Sequence, residues 1–259
     1  MDKKIFEIFG PSGWENKLKD YLKSKYAFIE KDYGLIRGKS RIAFITGLDE
    51  PLFSVVGKED RGYRIRPEIT GILENEKGEK GFSLNGFLQF PFDHVLERTT
   101  PLRKTFWFSG TENQIAGSNA GYRILISLLV ESDYPVILLP QTLFSIPYTL
   151  LPLIESGIKL IVYLIPLKTD IIGEPPYIIL KAKNYILPEN FRDTELPQKI
   201  VDIPIPSLHY NNYMDATIIP IVAPFLTNNN ESLIFKKQLE NFKILLRRIY
   251  EIYENEKKN

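Results

Sequence analysis

The sequence predicts an α/β fold in which a mixed sheet is flanked by helices and carries a small inserted β-barrel-like domain. Strand-like and helical patterns alternate in both the first and the last parts of the chain, and a β-α-β order implies parallel pairing. Residues 52–108 contain only short strand-like runs punctuated by glycines. We therefore expect an α/β domain from residues 1–51 and 109–259, with an inserted, reduced β domain at 52–108.

The first elements follow from a capping pattern and a turn. Ser12 to Glu15 has the S-x-x-E form of a capping box, and it predicts a helix over 12–25. Two β-like runs follow at 27–31 and 35–37, and the apolar run that ends at Ile45 predicts a third strand.

The remaining elements alternate after a β-rich segment. In the inserted segment the predicted strands are 52–56, 62–65, 69–73, 81–90 and 104–108. Beyond it the patterns predict helices at 119–130 and 146–154 and strands at 136–139, 158–165, 177–180 and 199–205. Apolar residues at three- and four-residue spacing predict a final amphipathic helix over 231–256, with Asn230 as its N-cap.

Composition limits the possible functions. The chain has 259 residues, 44% of them hydrophobic, which is enough for a large core without disulfides. Thirty-three basic and 32 acidic residues give a net charge of +1, so we expect neither a nucleic-acid partner nor a membrane partner. Cysteine is absent, so any metal site must use carboxylates together with His94 and His209.

The same composition gives an expectation about location. The start of the chain has no apolar leader segment, and prolines interrupt the longest apolar runs. We therefore expect a cytoplasmic protein, and its many Ile, Lys, Tyr and Glu residues suit a heat-adapted organism.

Short motifs in the first fifty residues carry a resemblance to a known family. The strand ending at Ile45 is followed by Thr46-Gly47-Leu48-Asp49-Glu50, and the segments Gly10 to Glu15 and Asp32 to Ile36 occur before it. In this order they resemble the tetrahedral, glutamyl-type aminopeptidases, a zinc metallopeptidase family that includes endoglucanase-like proteins. The resemblance implies the zinc-aminopeptidase fold for nearly the whole chain.

The resemblance also implies where a two-metal site would lie. The family strand ends in His-x-Asp-Glu, whereas this chain has Gly47 at the histidine position. The other positions that match ligands or the general base hold residues unsuited to those roles. They are Ser118 or Asn119 for the bridging aspartate, Gln141 for the base, and Thr142, Tyr163 and Asn228 for further ligands.

These replacements remove the chemistry that a two-metal hydrolase needs. Glycine has no ligand atom, and the amide of Gln141 cannot accept a proton from a metal-bound water. We therefore expect no metal cofactor and no catalytic residue. The resemblance then implies a catalytically degenerate homologue that binds a peptide or partner, or that has a role in assembly, as a homo-oligomer or together with an active homologue.

An enzymatic alternative remains open. Asp49 and Glu50 follow a strand end, and with His209 and Asp215 they are possible remnants of the pocket. If the sheet brings these four residues together, they form a rebuilt site for zinc or cobalt. The protein would then be a weak metal-dependent aminopeptidase.

Overall fold

The computed structural model describes most of the chain. The described residues are 2–8, 10, 15–32, 34–48, 53–66, 68, 71–74, 80–89, 98–101, 105–107, 114–118, 120–140, 157–192, 195–202, 216–228 and 231–256. None of the helices in these ranges is long and apolar enough to cross a membrane.

The first elements match the predicted order. They are α1 (Lys3–Glu7), α2 (Asn16–Tyr26), β1 (Ile29–Lys31), β2 (Gly34–Arg37) and β3 (Ile42–Gly47). The predicted helix begins at Asn16 rather than Ser12. Its N-cap is Glu15, whose side chain makes no capping hydrogen bond. Ser12 lies outside the described residues. The helix ends at Tyr26. Its C-cap, Ala27, has a left-handed φ of 54°, which stops the helical hydrogen bonding.

Six short strands form a closed barrel. They are β4 (Phe53–Glu59), β5 (Gly62–Arg66), β6 (Gly71–Glu74), β7 (Lys80–Leu84), β8 (Phe87–Gln89) and β9 (Arg98–Pro101). They pair in the closed order β4-β5-β8-β7-β6-β9, and Ile65, Leu73 and Leu88 are fully buried. The barrel-like part of the predicted fold class is therefore confirmed.

Two strand predictions in this segment need correction. The single strand predicted at 81–90 is a hairpin, since Asn85 and Gly86 turn the chain with φ values of 50° and 81°. The strand predicted at 104–108 is β10 (Thr105–Trp107), and it pairs with β11 (Gln114–Ser118) in the large sheet rather than in the barrel. The domain boundaries themselves stay a prediction.

The remaining elements build the large sheet and its helices. They are α3 (Ala120–Val130), β12 (Val136–Leu139), β13 (Leu160–Thr169), β14 (Tyr177–Ala182), β15 (Tyr185–Ile186), α4 (Glu189–Arg192), β16 (Gln198–Ile200), β17 (Thr217–Asn228), β18 (Glu231–Phe235) and α5 (Lys236–Glu256). The helix predicted at 146–154 lies outside the described residues.

The large sheet has a parallel centre with antiparallel flanks. Nine of its twelve strands follow the order β1-β2-β12-β3-β13-β17-β18-β11-β10, and β14 joins β15 and β16 to β17. The pairs β12-β3, β3-β13 and β13-β17 are parallel. The carboxyl ends of these four strands therefore lie at one edge of the sheet, where open α/β sheets bind ligands.

Strand β17 was not predicted, because Pro220 and Pro224 argue against a central strand. The structure explains how they are tolerated. The Ile218 carbonyl accepts a hydrogen bond from the Tyr185 hydroxyl at 2.6 Å, so the backbone groups of Ile218 point away from β13. Backbone groups alternate along a strand, so Pro220 and Pro224 also face away from β13. Their missing N–H groups therefore remove no bond from the parallel ladder.

The last helix is shorter than predicted. Glu231–Phe235 forms strand β18, which pairs with β17 and β11, so the helix begins at Lys236. Asn230 cannot cap a helix that begins six residues later, and it lies outside the described residues. The segment 231–235 is too short for its sequence to distinguish a strand from the first turn of a helix.

An aromatic cluster packs α5 against the sheet. The Phe44 side chain of β3 is fully buried. Its ring centroid lies 4.6 Å from that of Tyr134 and 6.4 Å from that of Tyr250 in α5. These contacts join the central strand, the segment before β12 and the final helix in one cluster.

Truncation of Phe44 tests how much this aromatic cluster contributes to the free energy of unfolding. We expect Phe44→Ala to lower the free energy of unfolding by about 3–5 kcal/mol, since it removes a buried ring and leaves a cavity. Phe44→Leu should cost less because it fills more of the space. Urea unfolding followed by circular dichroism measures both, and a loss below about 1 kcal/mol for Phe44→Ala would contradict the packing role.

The partly buried carboxylate of Asp2 connects the first two helices. Asp2 accepts hydrogen bonds from the hydroxyls of Tyr21 at 2.6 Å and Tyr26 at 2.7 Å and from the Lys25 ammonium at 3.0 Å. Burial raises the pKa of Asp2, but these hydrogen bonds outweigh it and lower the pKa to about 2. Asp2 also caps α1 through the Lys4 N–H.

This cluster predicts an acid-sensitive contribution to stability. Because the pKa of folded Asp2 is depressed, its contribution is complete above about pH 4 and is lost as the pH falls toward 2. We expect Asp2→Asn to cost about 2 kcal/mol at pH 7 and progressively less below pH 4. Urea unfolding at pH 7, 4 and 2.5 measures this. Asp20→Asn, at a carboxylate 73% exposed, is the matched control; an equal loss in both variants would contradict the prediction.

Candidate functional site

The candidate site lies at the carboxyl end of β3. Gly47 is the last residue of this strand, and it pairs with Leu139 at the end of β12. The predicted resemblance implies a histidine at Gly47, so a metal ligand is expected at this edge of the sheet in an active member of that family.

The end of β3 is buried and apolar. Gly47 is buried, and the Leu48 side chain that follows it is fully buried. The Leu48 N–H donates to the Leu139 carbonyl oxygen at 2.8 Å, which continues the ladder past the strand end. On β13, the Leu164 carbonyl accepts the Thr46 hydroxyl at 3.3 Å. The backbone and the one hydroxyl here are therefore satisfied within the protein.

Tyr163 lies in the adjacent strand, close to Gly47. It pairs with Ile45 of β3 and with Pro220 of β17, and only 7% of its surface is exposed. Tyr163 is therefore one strand away from Gly47 and two residues short of its level, about 8 Å in a regular sheet.

Ser118 and Asn228 are brought together elsewhere in the sheet. Both pair with Glu231 of β18, Ser118 from β11 and Asn228 from β17. The two backbones are thus level and two strand spacings apart, about 10 Å. The two residues are 110 positions apart in the sequence, so the sequence alone does not predict that they are level in the sheet.

The four predicted positions that the structure describes form two separate pairs along the sheet, Gly47 with Tyr163 and Ser118 with Asn228. Extending the β3 ladder by two residues places Gly47 level with Ile165 of β13, which pairs with Val222 of β17. Asn228 lies six residues further along β17, which corresponds to about 20 Å of regular strand. Their assignment as positions of lost ligands stays a prediction.

Six further predicted residues lie outside the described part of the chain. They are Gln141, Thr142, Asp49, Glu50, His209 and Asp215. Their roles as a replaced base, a replaced ligand or pocket remnants stay predictions.

The described end of β3 does not fit a catalytic metal ion. Gly47, Leu139 and Ile165, which share one level, offer no side-chain ligand atom. Throughout the described ranges, no group of three or more His, Cys, Asp or Glu residues is placed to hold a metal. No reaction step can therefore be derived through a metal at these residues.

A charged pair near the ends of β13 and β17 was not identified as a site from the sequence. Glu174, 7% exposed, accepts a hydrogen bond from the Lys199 ammonium, which also lies 4.8 Å from the centroid of the Tyr177 ring. The buried Gln238 side chain donates to the Glu174 carbonyl at 2.6 Å. The sequence contained little signal, since Glu174 precedes two prolines and reads as part of a turn.

The electrostatics of Glu174 make it a weak base. Burial raises its pKa, but hydrogen bonds from Lys199 and Thr169 and the charge of Lys199 leave the pKa below its ordinary value. Burial, with the nearby charge of Glu174, raises the pKa of the Tyr177 hydroxyl. Glu174 therefore connects three elements. Its carboxylate binds Lys199 of β16, and its carbonyl binds Gln238 of α5, so both are joined to the 170–176 turn.

The fold matches solved aminopeptidase structures over almost its whole length. An aminopeptidase from Desulfurococcus kamchatkensis superposes with a TM-score of 0.66 at 14% identity, covering 94% of this chain and 91% of that one. The TET1 peptidase of Pyrococcus horikoshii gives 0.63 at 14% identity, covering 94% and 96%. A Thermotoga maritima protein described as an endoglucanase gives 0.64 at 16% identity, covering 94% of each chain.

Sequence comparison alone does not find these proteins. The chain matches no protein-family model and no curated protein sequence. The resemblance predicted from short motifs is confirmed at the level of the fold, because the solved structures align from end to end. This chain therefore has the fold of the tetrahedral aminopeptidases and their endoglucanase-like relatives.

Proposed function

We propose that this protein is a catalytically degenerate aminopeptidase homologue that acts as an assembly or partner-binding subunit. One observation carries the proposal: β3 ends in a buried glycine that is followed by a buried leucine, at the position where the family resemblance implies a metal-binding histidine. A two-metal hydrolase needs ligands and an open coordination position for water.

The surroundings of Gly47 support the loss of catalysis. Leu139 and Leu48 are buried beside it, and the Thr46 hydroxyl is bonded to the Leu164 carbonyl. A metal-bound nucleophile would have to replace this apolar packing. Glu174 is a poor substitute for the base, because its lowered pKa and its bond to Lys199 weaken its affinity for a proton.

The outer surface of the barrel supports an assembly role. In β7, Ser83 is buried inside the barrel, whereas Phe82 and Leu84 on either side of it are 45% and 46% exposed. Leu84 pairs with Phe87 of β8, which in turn pairs with Arg64 of β5, so these three residues form a row across the outside of the barrel. Neighbouring apolar side chains exposed in this way indicate an interaction surface.

The charges beside this row suit a second copy of the same chain. Arg64 contacts Glu59 at 3.2 Å and Glu68 at 3.6 Å, and Arg66 contacts Glu68 at 2.8 Å. The surface thus carries two cations and two anions, all partly exposed. A patch that carries both signs of charge is compatible with a self-complementary interface, in which opposite charges pair across a two-fold axis.

The solved structures with this fold include assemblies. The Pyrococcus horikoshii peptidase assembles into a tetrahedron or a large octahedral shell, and another TET1 structure is a dodecamer. We propose that this chain also self-associates, with Phe82, Leu84 and Phe87 at the interface.

The catalytic part of the proposal predicts a metal-poor, inactive protein. Protein purified without chelators and dialysed against zinc or cobalt should hold substoichiometric metal by elemental mass spectrometry, since Gly47 supplies no ligand. It should release amino-terminal residues from short peptides no faster than a protein-free blank.

The alternative enzyme gives a different result in the same experiment. Stoichiometric metal, with peptidase activity that is lost in Asp49→Ala and His209→Ala, would overturn the degenerate assignment and support the rebuilt site. Lys237→Ala on the exposed side of α5 is the control for non-specific effects on purification.

The assembly part predicts a concentration-dependent oligomer. Sedimentation equilibrium should give a mass above the 30.0 kDa of the single chain. Phe82→Asp with Leu84→Asp should weaken association by at least about a hundredfold, because two charges would be buried against apolar groups.

A matched apolar position away from the barrel provides the control. Ile244 on α5 is 44% exposed, similar to Phe82, and Ile244→Asp should leave the mass unchanged. A monomeric wild-type protein, or equal effects of the barrel and α5 substitutions, would refute assembly through this surface.

A further inference from the structure

A cavity lies at the end of the sheet opposite Gly47. Its volume is about 950 Å³, and Ile42 and Ala43 at the start of β3 line it together with Pro135 and Ile158, which precede β12 and β13. It is thus at the amino ends of the parallel strands. The five residue steps from Ile42 to Gly47 separate the two regions by about 17 Å of strand.

The floor of the cavity is apolar. Ile36 of β2 and Ile137 of β12 pair directly, so they share one face of the sheet, and both line the cavity. Ala43, Ile137 and Ile158 are 1%, 2% and 7% exposed, and the Ile29 side chain at the edge of the same face is 62% exposed. The half-buried Ile36 and the exposed Ile29 provide most of the apolar surface that a hydrocarbon or aromatic group placed here would cover.

The rim of the cavity is cationic. Lys31, Lys39 and Arg41 line it, and no acidic residue does so within the described part of the chain. No described carboxylate forms an ion pair with any of these three side chains. Glu30, beside Lys31 in β1, contacts Lys19 at 3.4 Å and Lys23 at 2.8 Å instead.

A fourth cation in the lining has a structural role. Arg37 donates hydrogen bonds to the carbonyls of Leu129, Val130 and Ser132 at the end of α3, at 2.7, 2.8 and 2.6 Å. Its guanidinium also lies 5.3 Å from the centroid of the Phe28 ring. Arg37 is therefore engaged within the protein, and we do not assign it to the ligand.

Together these features define the class of ligand. We propose that the cavity binds a small organic anion whose apolar body lies over Ile29 and Ile36. Its carboxylate or phosphate group is held by Lys39 and Arg41, which both precede β3, whereas Lys31 pairs with Gly34 at the other end of β2. Like charges around one rim repel each other, and an anion relieves that repulsion. The volume is within the range of pockets that enclose small ligands.

The proposal does not depend on the loss of catalysis at Gly47. The cavity uses none of the positions at which the resemblance implies a metal ligand or the general base. A metal-dependent peptidase and a degenerate homologue could each bind an anion here.

Binding of simple amphiphiles tests the proposal. Isothermal titration calorimetry on the whole protein should detect octanoate and octyl phosphate, whereas octanol, acetate and inorganic phosphate should bind at least about tenfold more weakly. The stronger of the two amphiphiles identifies a carboxylate or a phosphate ligand. Added salt should weaken binding, since the rim residues are exposed.

Charge reversal at the rim is the decisive variant. Lys39→Glu combined with Arg41→Glu should reduce octanoate and octyl phosphate affinity by at least about tenfold. Lys237→Glu combined with Arg248→Glu makes the same change in net charge on the exposed side of α5, and it should leave affinity unchanged. Thermal melts verify that both variants fold.

Three outcomes would overturn the proposal. They are failure of both amphiphiles to bind the wild-type protein, octanol binding as tightly as octanoate, and equal affinity in the rim variant and the α5 variant. The first would exclude a site, the second would exclude the role of the cations, and the third would place binding elsewhere.

Discussion

The parallel ladder between β13 and β17 is the interaction on which the rest of the structure depends. Ten residue pairs join these strands, and β13 also pairs with β3. The ladder fixes the level of every neighbouring strand, so it determines which residues meet at each edge of the sheet. Pro220 and Pro224 are compatible with it because their backbone faces the other side of β17. From the far side of β17, β14 and β18 extend the sheet, and Gln238 of α5 donates to the Pro224 carbonyl.

The two ends of the parallel strands differ in their chemistry. At the carboxyl end of β3, the buried residues Gly47, Leu48 and Leu139 fill the space. The described residues there provide no group of side chains that could hold a metal ion. At the amino end a large cavity has an apolar floor and a rim of cations. Open α/β sheets generally bind ligands at the carboxyl end. We propose the opposite end as a ligand site in this protein, because cations without a described carboxylate partner lie there beside apolar surface.

The sequence predicted the elements whose signals are local. Helices α2 and α3 and strands β1, β2, β3 and β12 follow from caps, turns and periodicity, and the structure confirms them within a few residues. It missed β17 because two prolines suggest an irregular segment, and β9 because Arg98–Pro101 lacks an apolar pattern. It extended the last helix over β18, since five residues carry too little periodicity to distinguish a strand from a helical turn.

For the candidate site, the sequence by itself determined which side chains are missing. Gly47 supplies no side-chain ligand atom in any fold, and a chain without cysteine and with two histidines has few alternatives for a zinc site. Only the tertiary structure decided which residues are neighbours. Pairing across β18 brings Ser118 level with Asn228, and the ladder brings Tyr163 beside Gly47. The cationic cavity also depends on it, because Ile36, Arg41 and Ile158 line one cavity only when β2, β3 and β13 are placed in one sheet. Residue type is fixed by the sequence, whereas proximity across strands is set by register, which the sequence specifies only through the complete fold.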